Sequence, residues 1–397
     1  MSQHYDVAIV GSGPAGSTTA RVVAENGAKT VLIDRRRIVG VPVQCGELIP
    51  IPREVRNLFP SSTRMPKAVS VPSKFILNRT STIRLVSPNG KTFEFPFEAN
   101  IVDRALFDQH LARKAEDAGV DVLLNTKLLD RTKDNSLVLR SERRQNEIQA
   151  NVVVGADGSR SKIAQSLGPQ FIHNESDLSP SLQYVMENSD ADSTVVEMYF
   201  GSVAPGGYAW IIPKGDDMVN VGFGMRRSIA KDDSPLRDYI DRFVYGNPLV
   251  TPLLKRARIV SRVGAIIPVG GPLKRTWSSD ALLVGDAAGH VMASNGGGIP
   301  TALCGGIIAG EAISSHLESG SSLSLYEETW RAEFGTELET ALRVLRVADT
   351  VMPSDSITDI CMRLAGVRFL EPLIRCRLPP LVDFTSKTLV RVLGKVL

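Results

Sequence analysis

The stretch that decides the fold is residues 7–34, VAIVGSGPAGSTTARVVAENGAKTVLID. Apolar runs at 7–10 and 30–33 flank a segment of helix-forming residues, 14–26, which predicts a strand, a helix and a second strand. A G-x-G-x-x-G pattern lies between the first strand and the helix, and Asp34 ends the second strand. This context predicts a Rossmann-like unit that binds a dinucleotide.

Each position of the pattern has its own physical reason. Gly11 permits a tight turn, Gly13 lets a pyrophosphate approach the backbone, and Gly16 lets helix and strand pack closely. The helix N-terminus offers free N–H groups to the phosphates, and Asp34 is expected to hold a ribose hydroxyl. The alternative is a glycine-rich turn that binds nothing.

Composition narrows the class of protein. The chain has 397 residues, which predicts two folded lobes, and its 43% apolar and 22% charged residues are typical of a globular protein. A net charge of +3 is too small to suggest a nucleic-acid partner. The four cysteines have no C-x-x-C spacing, so we expect neither a metal site nor a disulfide scaffold. Without a leader or a long apolar run, the expected location is cytoplasmic.

Two further segments identify the dinucleotide. Residues 152–159, VVVGADGS, and 282–289, LLVGDAAG, both predict a strand that ends in a sharp turn. Together with Arg104, which follows Asp103, they resemble the flavoprotein family that includes p-hydroxybenzoate hydroxylase. The resemblance implies FAD. It implies that Asp286 holds the ribityl chain and that Arg104 lies near the pyrophosphate. Asp157 would support the residues around the cofactor without contacting it. For Asp157, a helix cap is the alternative.

Three shorter motifs refine the family. Residues 42–47 read PVQCGE, residues 206–214 read GGYAWIIPK, and residues 296–299 read GGGI. In combination they resemble the geranylgeranyl reductases, especially the archaeal enzymes that saturate digeranylgeranylglycerophospholipids. The resemblance implies stepwise hydrogenation of isoprenoid double bonds, with FAD as hydride carrier. The candidate cofactor-binding residues are Gly11, Gly13, Ala15, Gly16, Asp34, Arg35, Cys45, Gly46, Arg104, Leu128, Asp157, Gly285, Asp286, Gly298 and Ile299.

The second motif supplies the candidate substrate site. Tyr208 and Trp210 are two residues apart on a predicted strand, so they project from one face and are expected to wall an apolar slot. The alternative is that both are core residues. Pro213 and Lys214 complete the substrate set, with Lys214 either meeting a lipid phosphate or remaining an ordinary exposed lysine.

Reduction of an isolated alkene needs a hydride and a proton. The candidate catalytic residues are Cys45, Glu47 and Tyr208 for the proton, with Trp210 beside them, and the sequence leaves the choice open. The reductant is NAD(P)H or a protein carrier such as ferredoxin, since no second G-x-G-x-x-G follows a strand. N–H groups at Gly298 and Ile299 would stabilise negative charge on the reduced flavin.

Three rival functions share parts of this pattern. A monooxygenase would carry the same FAD segments, but its usual loop with a proline and Gly-Gln-Gly is missing. A flavin halogenase carries Trp where Tyr208 stands. A non-catalytic lipid-binding flavoprotein is the third alternative.

The predicted fold class is α/β plus α+β: a Rossmann-like FAD-binding domain, an inserted antiparallel-sheet substrate domain and a helical C-terminal region. The predicted bounds are 1–60, 97–168 and 258–335 for the FAD-binding domain, 61–96 and 169–257 for the substrate domain, and 336–397 for the helical region.

Two features concern regulation and location. Residues 363–397 carry seven basic and two acidic residues, so they suit either a peripheral contact with anionic lipid or a helical cap on the catalytic lobe. Cys45 and Cys304 are both expected near the flavin. A reversible disulfide between them is one prediction, and two buried free thiols are the alternative.

Overall fold

The computed structural model describes residues 3–132, 134–142, 144–230 and 232–377. These residues form fifteen strands, grouped into two sheets, and eleven α-helices. The strands are β1 (Gln3–Val10), β2 (Thr30–Ile33), β3 (Leu48–Pro50), β4 (Ile76–Val86), β5 (Thr92–Val102), β6 (Asp121–Leu123), β7 (Thr126–Arg131), β8 (Ser136–Ser141), β9 (Arg144–Gly155), β10 (Leu178–Glu187), β11 (Val195–Tyr199), β12 (Tyr208–Gly215), β13 (Met218–Gly224), β14 (Arg258–Pro268) and β15 (Ala281–Leu283). The helices are α1 (Pro14–Glu25), α2 (Pro52–Leu58), α3 (Met65–Ala68), α4 (Arg104–Asp117), α5 (Lys162–Leu167), α6 (Leu236–Gly246), α7 (Thr251–Leu254), α8 (Ile299–Ser319), α9 (Ser324–Trp330), α10 (Thr336–Ala348) and α11 (Asp355–Ile374).

Sheet A is the Rossmann-like sheet. Its order is β6-β2-β1-β9-β8-β7, with β15 pairing along the end of β9. Strands β6, β2, β1, β9 and β15 are parallel, whereas β7 and β8 form an antiparallel meander with β9. Side chains alternate along β1, so Val7 and Ile9 join the core cluster that includes α1 and α8, while Ala8 and Val10 join the cluster of α5. The predicted β-α-β unit is confirmed.

Sheet B is the substrate-side sheet. Its order is β14-β10-β13-β12-β11-β4-β5-β3. All of its pairs are antiparallel except β4 with β11, where Thr82 lies opposite Val195. The predicted fold class is therefore confirmed, with one parallel pair inside the inserted sheet.

Sheet B includes three segments that the predicted boundaries assigned to the FAD-binding domain. Strands β3 and β14 and the last residues of β5 pair within it. The predicted boundary at residue 97 falls inside β5, where buried and less buried residues alternate as far as Ile101. The division into domains remains a prediction.

The C-terminal region is helical as far as the description reaches. Helix α9 passes through one π turn (331–335) into α10, and α11 bends at Gly366, where φ is +59°. Residues 378–397, which complete the predicted helical region and its basic segment, lie outside the described residues. None of the described helices is both long and apolar enough to cross a bilayer.

Helix α4 buries a polar pair on its inward face. Asp103 is its N-cap and accepts a hydrogen bond from the Leu106 amide. Leu106 is 49% exposed, whereas Asp108 is buried. Asp108 is buried because it binds Arg104, so a polar pair occupies part of the inward face.

Candidate functional site

The turn from β1 into α1 leaves room only for glycine at two positions. Gly11 has φ +104°, and a Cβ there would lie 2.2 Å from the carbonyl oxygen of Ala156. A Cβ on Gly16 would lie 1.9 Å from the carbonyl oxygen of Gly11. Gly13 faces open space and caps α1, so the free amides of the helix start are accessible to a ligand.

Asp34 holds this turn in place. Its Oδ2 accepts hydrogen bonds from the Ser12 amide at 2.8 Å and the Ser12 hydroxyl at 2.6 Å, and its Oδ1 accepts one from the Arg36 amide at 2.8 Å. Its role towards a ribose hydroxyl stays a prediction. Arg35 is exposed at the surface beside it.

Two carboxylates lie at the carboxyl ends of neighbouring parallel strands. Asp157 follows β9, and its Oδ2 accepts a hydrogen bond from the Lys162 amide at 2.7 Å, as a cap of α5 would. Its Oδ1 is buried without a partner among the described residues. Asp286 follows β15, and burial raises its pKa to about 6, opposed by the charge of Arg104. Both acids therefore lie at the carboxyl edge of the parallel strands of sheet A.

Arg104 links this region to the Cys45 loop (residues 42–47). Two of its nitrogens donate to Asp108 at 3.0 and 2.9 Å. Burial lowers the pKa of Arg104, but the carboxylate of Asp108 and the neighbouring Cys45 sulfur outweigh this and raise it above its ordinary value. Arg104 is thus a fixed positive charge close to both Cys45 and Asp286.

These features fit FAD. The glycine turn offers amides and an open approach, and Asp157 Oδ1 is a buried oxygen that a ligand could satisfy. Gly285 packs closely on α1, since a Cβ there would lie 3.0 Å from Ala15 Cβ. Gly298 caps α8 and Ile299 begins it, so their amides are free of helical partners. Leu128, on β7, differs from these candidate cofactor residues, because its side chain is buried in an apolar cluster.

Two buried amide side chains hold the Cys45 loop against sheet B. Gln183 Nε2 donates to the carbonyl oxygens of Val43 and Cys45, both at 3.1 Å. Asn220 Nδ2 donates to the same Cys45 oxygen at 3.2 Å, and Asn220 Oδ1 accepts a hydrogen bond from Trp210 Nε1 at 2.8 Å. The Cys45 loop and the aromatic strand β12 are therefore joined through Asn220.

Sequence reasoning missed Gln183 and Asn220. Each interrupts an apolar strand, in LQYVM and VNVGF, and both side chains are buried. A buried amide within a strand needs specific partners, which is the signal that could have found them.

Tyr208 and Trp210 lie on one face of β12, with ring centroids 5.9 Å apart. Phe200 extends this row, 6.1 Å from Tyr208. The Tyr208 hydroxyl donates to the Asn295 carbonyl at 2.5 Å. Trp210 is only 7% exposed and belongs to the main core cluster, as the core alternative expects, while its place as the wall of a substrate slot remains a prediction.

Lys214 differs from both expectations for it. Its ammonium is 12% exposed and forms an ion pair with Glu47, whose side chain is 2% exposed. It is neither an ordinary surface lysine nor a cation available to a phosphate. The preceding residue, Pro213, is buried, and its carbonyl accepts a hydrogen bond from Asn78 Nδ2 at 3.0 Å.

The glycine-rich loop before α8 is tied to the C-terminal region. Asn295 Nδ2 donates to the Ile374 carbonyl at 3.2 Å, and the Ser294 hydroxyl lies 3.3 Å from Cys376 Sγ. Through Asn295 the loop also contacts Tyr208. The end of α11 thus contributes to the same site, which the sequence did not indicate.

The predicted disulfide is not formed in this structure. Cys45 and Cys304 are both free thiols. Cys304 is fully buried within α8, and burial raises its pKa to about 12. The charges that act on it belong to Glu333, Arg64 and Glu311, whereas Arg104 and Glu47 act on Cys45. The two thiols lie in different surroundings, which fits the alternative of two separate thiols.

Comparisons with known proteins show the family to which the chain belongs. A family model described as the geranylgeranyl reductase catalytic domain matches residues 177–267, and one described as FAD dependent oxidoreductase matches residues 6–165. The chain is 35% identical over 343 residues to the digeranylgeranylglycerophospholipid reductase of Methanococcus vannielii, covering 83% of each chain. It is 31% identical to digeranylgeranylglycerophospholipid reductase 1 of Methanothermobacter thermautotrophicus, covering 100% of this chain and 99% of that one.

A solved structure shows the same architecture. The geranylgeranyl bacteriochlorophyll reductase-like protein of Thermoplasma acidophilum superposes with a TM-score of 0.83 at 28% sequence identity. The match covers 98% of this chain and 100% of that one. Both lobes and the helical region are therefore shared.

Proposed function

Because this chain belongs to the digeranylgeranylglycerophospholipid reductase family of FAD-dependent oxidoreductases, we propose that it saturates the isoprenoid double bonds of digeranylgeranylglycerophospholipids. The observation that carries the proposal is the meeting of the two reductase motifs. Asn220 binds both the Cys45 carbonyl and the Trp210 indole, which brings a thiol and an aromatic wall together. Reduction of an alkene requires a proton donor beside the hydride carrier, and an isoprenoid chain requires an apolar wall to pack against.

Several residues would hold the cofactor. The turn at Gly11 and Gly13 suits the pyrophosphate, Asp286 suits the ribityl hydroxyls, and the amides at Gly298 and Ile299 suit the flavin ring. When bound, FAD supplies the hydride. The protein supplies the orientation of the alkene, the exclusion of water and the proton.

Cys45 is the best proton donor of the three candidates. The carboxylate of Glu47 is engaged in a buried ion pair with Lys214, which ties it to that partner. The hydroxyl hydrogen of Tyr208 is engaged with the Asn295 carbonyl, and burial raises the pKa of this phenol further. Burial also raises the pKa of Cys45, which keeps the thiol protonated, while nearby Arg104 stabilises the thiolate that remains after transfer.

The row of aromatic rings supports an apolar substrate. Phe200, Tyr208 and Trp210 stand in sequence with centroid separations of 6.1 and 5.9 Å. Neighbouring rings are tilted by 41° and 58°, and together they form an apolar wall against which an isoprenoid chain can pack. Orientation in this slot is a large part of the catalysis, because an alkene has no carbonyl to polarise.

An anaerobic single-turnover experiment tests the function. The holoprotein is reduced with dithionite, which removes the uncertainty over NAD(P)H or a protein donor, and digeranylgeranyl phospholipid is added without oxygen. We expect the visible absorbance of oxidised flavin to return on addition of the lipid, and Cys45→Ser to slow this return with unchanged FAD content. A flavin that stays reduced with the lipid and reoxidises only with oxygen would favour the monooxygenase alternative instead.

We also propose that α11 makes a peripheral contact with anionic membranes. Ile360 and Leu364, one helical turn apart, are 55% and 81% exposed, and the basic residues Arg363 and Arg368 lie on the same helix. Apolar groups flanked by cations suit insertion among anionic headgroups. The site is joined to this helix at Ile374, so a lipid would enter from the membrane side.

Liposome co-sedimentation tests the membrane contact. Leu364→Asp is expected to reduce binding to anionic vesicles, whereas Leu325→Asp, at a leucine 43% exposed on α9, serves as the matched control. Binding should also weaken with added salt. Equal binding of both variants at all salt concentrations would contradict the contact.

A further inference from the structure

The last residues of the two reductase motifs form a buried ion pair. Lys214 ends the aromatic motif of residues 206–214, Glu47 ends the Cys45 loop, and their side chains are 12% and 2% exposed. The Arg104 amide also donates to Glu47 Oε1 at 3.5 Å. Burying two charges costs about as much free energy as their attraction returns. Stability alone therefore explains this pair poorly.

The backbone of Glu47 is strained in a way that serves Cys45. Its φ is +65°, in the left-handed region that residues other than glycine rarely adopt. In this conformation its amide donates to Cys45 Sγ at 3.1 Å and its carbonyl accepts from the Val102 amide at 2.9 Å. The side chain must be anchored for such a conformation to persist, and Lys214 is the anchor.

We propose that Glu47 and Lys214 are positioning residues for Cys45. Their ion pair holds the Glu47 amide on the Cys45 sulfur, and their balanced charges keep Cys45 a protonated thiol ready to donate to the alkene. The donation step rests on the proposed function. The position and the protonation of the thiol do not.

The charges around Cys45 predict opposite shifts in its pKa when Glu47 and Lys214 are replaced. Burial is the main cause that raises the pKa of Cys45. The charge of Arg104 on α4 and the hydrogen bond from the Glu47 amide lower this pKa, whereas the negative charges of Glu47 and Asp108 raise it. Tyr208 faces the same thiol from β12. Removal of the Glu47 charge should therefore lower the pKa of Cys45, and removal of Lys214, which leaves Glu47 uncompensated, should raise it.

The test is alkylation of the FAD-loaded protein with iodoacetamide over a range of pH. Peptide mass spectrometry follows Cys45, and half-exposed Cys361 in the same molecules is the internal control. We expect the midpoint for Cys45 to fall by about one pH unit in Glu47→Gln and to rise by about one in Lys214→Met. The profile of Cys361 should be the same in every variant.

Two outcomes would overturn the proposal: midpoints that shift in the same direction, and midpoints that do not move. If either single variant fails to fold, the double variant that combines Glu47→Gln with Lys214→Met is measured instead, because it leaves no unpaired charge. Its midpoint should stay near wild type, while its limiting alkylation rate rises because the loop has lost its anchor. An unchanged limiting rate would contradict the positioning role. The alkylation experiment measures no turnover, so its result can be interpreted even if the lipid assay fails.

Discussion

Asn220 shows how a single buried side chain assembles the site. It is fully buried in β13, and its amide joins the Cys45 carbonyl to the Trp210 indole. The residue opposite Trp210 in the β12–β13 register is Gly222. A Cβ on Gly222 would lie 2.5 Å from Trp210 Cζ2, so the indole needs a glycine there.

We predict that Gly222→Ala displaces the Trp210 indole. Overpacking of this kind costs about 1–3 kcal/mol in the free energy of unfolding, and the moved ring loses its bond to Asn220. Lipid reduction should fall while FAD content stays near normal, since the cofactor segments are elsewhere. Urea unfolding, flavin absorbance and the single-turnover assay measure the three effects.

Gly224→Ala on the same strand is the control. A Cβ at Gly224 would meet only Ser179 Oγ, at 3.5 Å, which is ordinary contact. This variant should behave like wild type. Equal losses of lipid reduction and stability in both variants would mean that β13 tolerates no side chain at either position. Displacement of Trp210 would then not explain the effect of Gly222→Ala.

The sequence predicted which residues belong to the site better than it predicted the contacts between them. The sequence pointed to Cys45, Glu47 and Lys214, and the structure brings all three together. It could not reveal that Lys214 binds Glu47, because the two are 167 residues apart and meet only when β12 packs beside the Cys45 loop. Pairing across a sheet depends on register, which local patterns do not encode.

At the scale of elements, the loop after β15 is held by an aromatic cluster. His290 is fully buried, with ring centroids 4.5 Å from Trp330 and 5.2 Å from Phe334. Neither ring nitrogen has a hydrogen-bond partner among the described residues. Burial lowers the pKa of His290 to about 3, helped by the positive charges of Arg331 and His173.

We predict that this histidine makes the protein acid-sensitive. Below its ordinary pKa of 6.5, the unfolded chain binds a proton that the folded chain excludes. The free energy of unfolding should therefore fall as pH drops from 6.5 towards 3, by at most about 5 kcal/mol from this group, with its full contribution present above 6.5. Urea unfolding at a series of pH values measures the slope.

His290→Phe should flatten that slope, because phenylalanine fills the same aromatic space without titrating. His4→Gln, at an exposed histidine of β1, should follow wild type and serves as the control. Parallel pH curves for His290→Phe and wild type would show that other groups set the acid sensitivity.

Elements with strong local periodicity were predictable, and those defined by distant partners were less so. The segments 7–10, 14–26 and 30–33 predicted β1, α1 and β2 to within a few residues. Strand β14 was expected in the other lobe, since the local pattern of an edge strand does not say which sheet it joins. The parallel pairing of β4 with β11 was missed for the same reason.

At the scale of the whole molecule, the C-terminal region is anchored to sheet B by a second buried ion pair. Arg375 Nη2 donates to Glu54 Oε2 at 3.1 Å and to the Pro96 carbonyl at 2.8 Å. Its guanidinium also lies 5.3 Å from the ring centre of Phe97. The neighbouring Ile374 binds Asn295, so this anchor and the site share one chain segment.

We predict that Arg375→Met destabilises the protein by about 3–5 kcal/mol, because it leaves the buried carboxylate of Glu54 without its partner. Arg53→Met is the matched control, since Arg53 pairs with Glu98 at the surface, and its loss should cost no more than about 1 kcal/mol. Urea unfolding distinguishes the two. Equal effects would mean that the C-terminal region is not anchored at Arg375.

The mass of the lipid after turnover tests the central claim most directly. Digeranylgeranyl phospholipid is incubated anaerobically with the holoprotein and excess dithionite, then analysed by mass spectrometry. The account predicts a series of products, each heavier by the mass of two hydrogen atoms for every double bond reduced, and little product with Cys45→Ser. An unchanged lipid mass, or a product that forms only in air and is heavier by an oxygen atom, would contradict it.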